Sequence, residues 1–334
     1  MSNADERLRD ALSEIERAQS IRRILTVLGV VAILAATGAG MTYLGFTLAD
    51  IVRQLPTFAN SLVAFLTPDF HFFTLYATDN GLHGWNALIQ SVLNPGSFID
   101  SILNRDEGLT IVGGSVATIL IGFCGTVLGF PLALLFGVLG SERVTPFPFN
   151  FIFRGTMSTI RAIPALVWVL IYVPLVGISP VGALLAVATD TIGNLGRLFT
   201  DELEEVVDGP IEAISSTGAS SSQTVVFGML SQVSSSFVAW TLYILEINVR
   251  IAVSLGVVGA GGIGQYVSGR IGLLRFSQAA AGILVIIVIV LTVELVSSRL
   301  RARLRPGEHE GKSIVDVLMS LGDGGKWLGS SKNQ

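Results

Sequence analysis

The chain has 334 residues, of which 51% are hydrophobic and only 14% charged, and its net charge is −4. Soluble domains carry about 25% charged residues, so this composition excludes an ordinary soluble enzyme, and the acidic balance argues against a nucleic-acid partner. Uncharged runs cover 24–49, 108–141, 162–189, 213–245, 251–269 and 276–293; since about 20 largely apolar residues suffice to span a bilayer, the chain reads as an all-α, polytopic membrane protein.

In chain order, residues 1–23 predict an amphipathic cytoplasmic helix, with Leu8, Leu12 and Ile15 on one face. A first transmembrane helix is expected over 24–46; the charged leader before it is too long for a signal peptide, so the span is read as uncleaved. Residues 47–110 form a long external loop with surface helices, in which Pro68, Asp69 and His71 interrupt an otherwise apolar stretch. Five further spans are expected at 111–139 (with a kink at Pro131), 156–176, 181–199, 237–258 and 279–297, about six in all. Arg17, Arg22 and Arg23 precede the first span and Arg299, Arg301, Arg303 and Arg305 follow the last, while 47–110 holds only Arg53 and Arg105. The positive-inside tendency therefore places both termini in the cytoplasm. The expected organisation is a core domain over 111–305, containing a coupling loop at 200–231, and a cytoplasmic tail at 306–334.

Two glycine-rich stretches imitate nucleotide sites. Gly259, Gly261 and Gly264 have the Gly-x-Gly-x-x-Gly spacing of a dinucleotide cradle, but they follow a membrane span instead of an isolated strand. Gly307, Gly311, Lys312 and Ser313 approach a P-loop with one residue too few between the glycines, so no ATPase site is expected in this chain. The 259–264 glycines are read either as a tight turn with close helix packing or as a bend at the mouth of a translocation path. Cys124 is alone, and His71, His83 and His309 are far apart in sequence, so no disulfide and no metal site is expected.

Charges within the spans are costly and suggest function or pairing. Glu246 and Arg250 lie four apart on one helix face, with Asn248 between them. Asp190 and Arg197 fall in the fourth span and Arg161 at the start of the apolar part of the third. Locking of helices and lining of a path both remain open for these groups.

Between the fourth and fifth spans, an acidic approach (Asp201, Glu202, Glu204, Glu205, Asp208) leads into Gly209, Pro210, Glu212 and Ala213. Proline near a helix start and glycine at its end predict a short helix over 210–217 closed by Gly218. This loop resembles the signature of ABC importer permeases, which reads Glu-Ala-Ala, three residues and Gly, followed further on by an aliphatic residue, any residue, Leu and Pro. Glu212, Ala213 and Gly218 match; Ile214, Gly228 and Ser231 depart from it, and the last departure questions the usual break before the fifth span. The blocks at 161–180, 191–213 and 242–264, with LPTFANSLVAFLTPDF in the outer loop, are similar to the phosphonate-uptake permease family over roughly 50–305.

The resemblance implies an ABC importer permease fold with a cytoplasmic coupling helix, in a prokaryotic plasma membrane. It implies a second permease copy, two cytosolic ATP-binding subunits and an external substrate-binding protein as partners, besides the lipid bilayer. ATP and magnesium would sit on the ATPase, leaving this chain without a cofactor and without catalysis. Gly209, Pro210, Glu212, Ala213 and Gly218 would couple to the ATPase. Glu246, Asn248, Arg250, Gly259, Gly261, Gly262 and Gly264 would belong to the translocation path or an in-membrane charge pair, with Arg161, Asp190 and Arg197 as further in-membrane charges. The cargo would be phosphonate or a related phosphorus oxyanion. A stand-alone secondary transporter or channel for a small anion is the competing expectation; it should show an inverted repeat, which the sequence lacks, and it leaves the 200–231 loop without a role.

Overall fold

A computed structural model describes residues 2–104 and 109–304, with side chains from Gln19 onward. Arg105, the P-loop imitation at 307–313, His309 and the tail at 306–334 lie outside the described residues. The described residues are helical, without strands, and fall into two compact units divided after Val63.

The first unit holds α1 (Ser2–Tyr43) and most of α2 (Leu48–Leu66). The expected leader and first span are one uninterrupted helix, whose apolar part covers Gln19–Tyr43. Its side chains, Ile24, Leu28, Val31 and Leu34 among them, are exposed, as a lipid-facing helix requires.

The second unit opens with three short helices, α3 (Leu75–Asp79), α4 (Gly84–Leu93) and α5 (Gly96–Leu103). They do more than lie on a surface: Phe70, Phe73, Ala77 and Ala87 are buried in one core with Ile111, Ile263 and Tyr266, forming a cap on the helix ends. The cap is held by Asp69, whose Oδ1 accepts from the Gly84 N–H (2.7 Å) and the His71 N–H (3.2 Å) and whose Oδ2 meets His83 Nδ1 at 3.1 Å. Burial works against the charge of this carboxylate, but the hydrogen bonds from Gly84, His83 and His71 prevail and hold its pKa below the usual range. His71 and His83, distant in sequence, stack with ring centroids 4.3 Å apart.

The bundle consists of α6 (Ile111–Gly140), α7 (Phe149–Ala162), α8 (Ala165–Val176), α9 (Pro180–Glu204), α10 (Asp208–Ser215), α11 (Ser221–Gln223), α12 (Ser231–Val257), α13 (Gly262–Gly272) and α14 (Phe276–Leu304). α6 and α9 run parallel with glycines facing backbone: a Cβ on Gly125 would meet Val187, one on Gly129 would lie 2.5 Å from the Ala188 carbonyl, and one on Gly137 would lie 2.7 Å from Phe199 Cβ. α12 runs antiparallel to α9 and hence to α6, since Asn248 meets Thr191 while Trp240, nearer the start of α12, meets Glu202 near the end of α9.

Among the described residues, four helices are long and apolar enough to cross a membrane, or five if the bent pair α7 and α8 forms one span. Two of the six expected spans account for the difference. The expected straight span at 156–176 is broken, with α7 and α8 meeting at 92°. Pro164 lacks an N–H and disfavours helical backbone before it, and Ile163 is accordingly extended (φ −99°, ψ 114°). The fourth, 181–199, lies in α9, a 25-residue helix about 37 Å long. Asp190, Asn194, Arg197 and Asp201 lower its apolarity, which the bundle tolerates because α9 buries a long face against α6 instead of offering it to lipid. α6 continues through Pro131 without interruption.

Gly129→Val should destabilise the detergent-solubilised protein by about 1–3 kcal/mol or prevent its folding, read as melting temperature and monodisperse yield. Gly155→Ala on α7, where a Cβ meets nothing within 4 Å, should leave both unchanged or improved.

Candidate functional site: a mid-bundle polar cavity and a braced loop

At the end of the bundle away from the cap, the predicted short helix is present as α10, Asp208–Ser215, two residues earlier than expected. Gly218 follows in the left-handed region at φ +81°, where glycine is favoured. Ile211 and Ile214 turn toward the bundle, Ile211 packing onto a core with Phe199, Leu203, Val206 and Met229. Gly209, Pro210, Glu212 and Ala213 are exposed on the other side. The helix is anchored at its N-terminal end: Arg143 Nη1 bonds Asp208 at 2.7 Å, and Gln232 Nε2 donates to the Val207 carbonyl at 3.3 Å. Behind it, Arg154 pairs with Glu204 and lies 3.7 Å from Glu142, and Trp240 Nε1 donates to Glu202 at 2.6 Å.

Although Ser231 replaces the expected proline, the backbone still departs from α-helix before α12. A π-helical turn over Thr224–Leu230 packs on α10, after α11, whose capping box pairs Ser220 with Gln223. Such turns recur at functional sites.

The in-membrane charges separate into two groups. Arg161, Asp190 and Arg197 come together with Asn194, Asp201 and Asn248 around a cavity of about 630 Å³. Arg197 is taken by Asp201 (Nη2–Oδ1 3.0 Å) and Asp190 accepts from Asn194 Nδ2 at 2.8 Å. Arg161 is exposed and makes no hydrogen bond or ion pair with a described residue. Asn248 is fully buried. Its Nδ2 donates to Thr126 Oγ1 and Thr191 Oγ1, both at 2.8 Å, tying α12 to α6 and α9. Each threonine hydroxyl spends its one proton on a helix carbonyl (Gly122 and Val187, both 2.7 Å), so both must accept from Asn248, and the amide orientation is fixed. Asn248 Oδ1 is left without a partner among the described residues, a deficit of about 1–3 kcal/mol for a buried acceptor. Thr126 lies about 22 Å from either end of α6, so this acceptor sits at mid-bundle.

Glu246 and Arg250 form the expected pair, at 2.5 Å, but they do not line that cavity. They face α14, where Arg250 also meets Glu294 at 3.1 Å and Glu246 accepts from Arg301 at 3.2 and 3.3 Å. Sequence reasoning missed Glu294, whose position at the end of an apolar run was the available signal, and Arg301, counted there only as a topology marker.

The glycine stretch forms the turn from α12 into α13. Gly259, Gly261 and Gly262 have φ of +91°, +93° and +75°, and a Cβ on Gly261 would lie 2.6 Å from Pro180 Cγ. The Ile263 N–H donates to Thr118 Oγ1 at 2.9 Å, and Gly264 sits against the Val253 carbonyl. This is a packed joint between helices, and none of its glycines borders the cavity.

No family model matches the chain. A protein of Stutzerimonas stutzeri, provisionally named phosphite transport system permease protein HtxC, is 30% identical over 228 residues, 68% of this chain and 78% of that protein. The phosphate-import permease protein PhnE of Mycolicibacterium smegmatis is 34% identical over 198 residues, 59% of this chain, and the match spans only 37% of that longer protein. Among solved structures, the MetNI methionine ABC transporter, in inward-facing conformations, aligns with a TM-score of 0.53 at 21% identity, covering 58% of this chain and 95% of that one. The structure is thus a multi-pass membrane protein with an ABC-transporter permease fold. The chain belongs to the permease family of phosphonate- and phosphite-type transport systems.

The four-member network replaces the simple pair in its consequences. Glu246 is the buried member (side chain 7% exposed), whereas Arg250 and Glu294 are 45% and 49% exposed. Glu246→Leu should cost about 3 kcal/mol, because Arg301 loses its carboxylate and Arg250 keeps Glu294 alone. Arg250→Leu should cost less than about 1 kcal/mol, since Arg301 still holds Glu246. Thermal unfolding in detergent reads both; an Arg250→Leu loss equal to that of Glu246→Leu would contradict the network.

Proposed function

We propose that this chain is a membrane-spanning permease subunit of an ATP-driven importer, carrying a phosphonate, phosphite or phosphate-type oxyanion inward. The observation that carries the reading is α10, a short helix with an exposed Glu212–Ala213 face, anchored to the bundle by Arg143 and Gln232. A transporter driven from outside itself needs such a handle, rigidly joined to the helices it must move. Gly209, Pro210, Glu212, Ala213 and Gly218 form the surface that a cytosolic ATPase grips, so the end bearing α10 and both termini face the cytoplasm. ATP and magnesium stay on that partner, and this chain performs no catalysis and holds no cofactor. Two copies of the permease pair, two ATPase subunits dock on their α10 helices, and an external binding protein delivers substrate at the cap end. ATP-driven closure of the ATPase pair moves α10 and switches the bundle between two packings. The substrate class is supported by the names of the phosphite- and phosphate-system relatives.

The reading is tested at α10. Ala213→Trp places a large side chain on the exposed face, and Gly218→Val forces a β-branched residue to φ +81°. Both variants should insert and fold, yet reduce copurification of the ATPase and substrate-stimulated hydrolysis about tenfold, equivalent to about 1.4 kcal/mol of docking energy. Unchanged copurification and stimulation in both variants would overturn the assignment.

A further inference from the structure

We propose that the mid-bundle cavity is a transient oxyanion site selective for anions that still carry a hydroxyl proton, with Arg161 taking the charge and Asp190 accepting the hydrogen. The proposal rests on the importer reading and names what the cavity does within it.

The cavity's donors and acceptors are not all paired among the described residues. Arg197 is engaged by Asp201, and Asn194 Nδ2 occupies Asp190 Oδ2 alone. Two groups at the cavity keep free capacity. Arg161 is a cation without a hydrogen bond or ion pair among the described residues, and the buried Asp190 carboxylate keeps its Oδ1 without a donor there. A ligand that completes both must present an anionic oxygen and an O–H. Monoprotonated phosphate, phosphite and phosphonate do so near neutral pH; sulfate and monofluorophosphate have similar shape and charge but no proton to give. For those two anions, the Asp190 carboxylate presents only lone pairs, which repel them. Rejection through unpaired acceptors is stronger than rejection through shape, because a buried polar group left unmatched is costly. The cavity holds two arginines and two aspartates, Arg161, Arg197, Asp190 and Asp201. Their charges cancel, which suits a passage that must release its cargo and not trap it.

The test is ligand-dependent thermal stability of the purified full-length permease at pH 6.5 and constant ionic strength, with phosphate, phosphite, sulfate and monofluorophosphate as probes. Phosphate and phosphite at saturating concentration should raise the melting temperature by about 2 °C or more, and the two proton-free anions should not. Arg161→Gln should abolish the shift and Arg161→Lys should keep it, which guards against a variant that fails to fold. Asp190→Asn, isosteric and able to donate, should let sulfate stabilise as well as phosphate. Equal shifts with all four anions, or none with any, would overturn the site. So would loss of permease pairing in Arg161→Gln without an anion effect in the wild type, which would make Arg161 a contact between copies. If ATPase copurification is normal while no anion effect appears, the cavity proposal fails and the importer reading stands.

Discussion

The structure depends on the close approach of α6 to α9. In a bilayer there is little hydrophobic drive between helices, so association rests on backbone contact and on hydrogen bonds between them. Glycines at 125, 129 and 137 on α6, with Gly196 on α9, let the two helices touch along their length; a Cβ on Gly196 would lie 2.7 Å from Met157 Sδ and one on Gly193 2.8 Å from Ile160 Cγ2, which draws α7 into the same contact. Only at this separation can Thr126 and Thr191 receive the two protons of one amide, that of Asn248. Three helices are thereby fixed at mid-bundle by a single side chain, and the polar face of α9 is turned into a cavity instead of toward lipid.

The same rigidity extends to both ends. Toward the cap, the glycine turn at 259–262 locks α12 to α13, and Thr118 accepts the Ile263 N–H. At the opposite end, Arg154 with Glu204, Arg143 with Asp208 and Trp240 with Glu202 join α6, α7, α9, α10 and α12 into one body. In the proposed importer, a displacement of α10 would therefore reach the bundle with few soft joints between. The π-helical turn at Thr224–Leu230 is the irregular element in that connection. The Glu246–Arg250–Glu294–Arg301 network adds α14 to α12 through charges.

Much of this was legible in the sequence because apolar run length and loop chemistry are local signals. The membrane class, the α10 helix with its closing Gly218, and the Glu246–Arg250 pair all follow from spacing within one helix. The break at Pro164 was equally local and was passed over because the surrounding run is uniformly apolar. What could not be read is what depends on helices meeting: the cavity uniting Arg161, Asp190, Arg197 and Asn248, the recruitment of Glu294 and Arg301, and the stacking of His71 on His83. The π-helical turn also escaped, because the departure from the signature at Ser231 suggested the loss of an irregularity that Thr224–Leu230 supplies by other means. The fitness of α9 for a bundle interior is likewise invisible to hydropathy, which scores contact with lipid and not contact with another helix.

The most direct measurement of the account is uptake of labelled phosphite or methylphosphonate into liposomes holding the permease. Its ATPase and ATP would be supplied on the side that bears α10, and the substrate-loaded binding protein on the side that bears the cap. The account predicts transport only with all three components and only in that orientation. Uptake that proceeds without the ATPase, driven by an ion gradient across the same membrane, would contradict it.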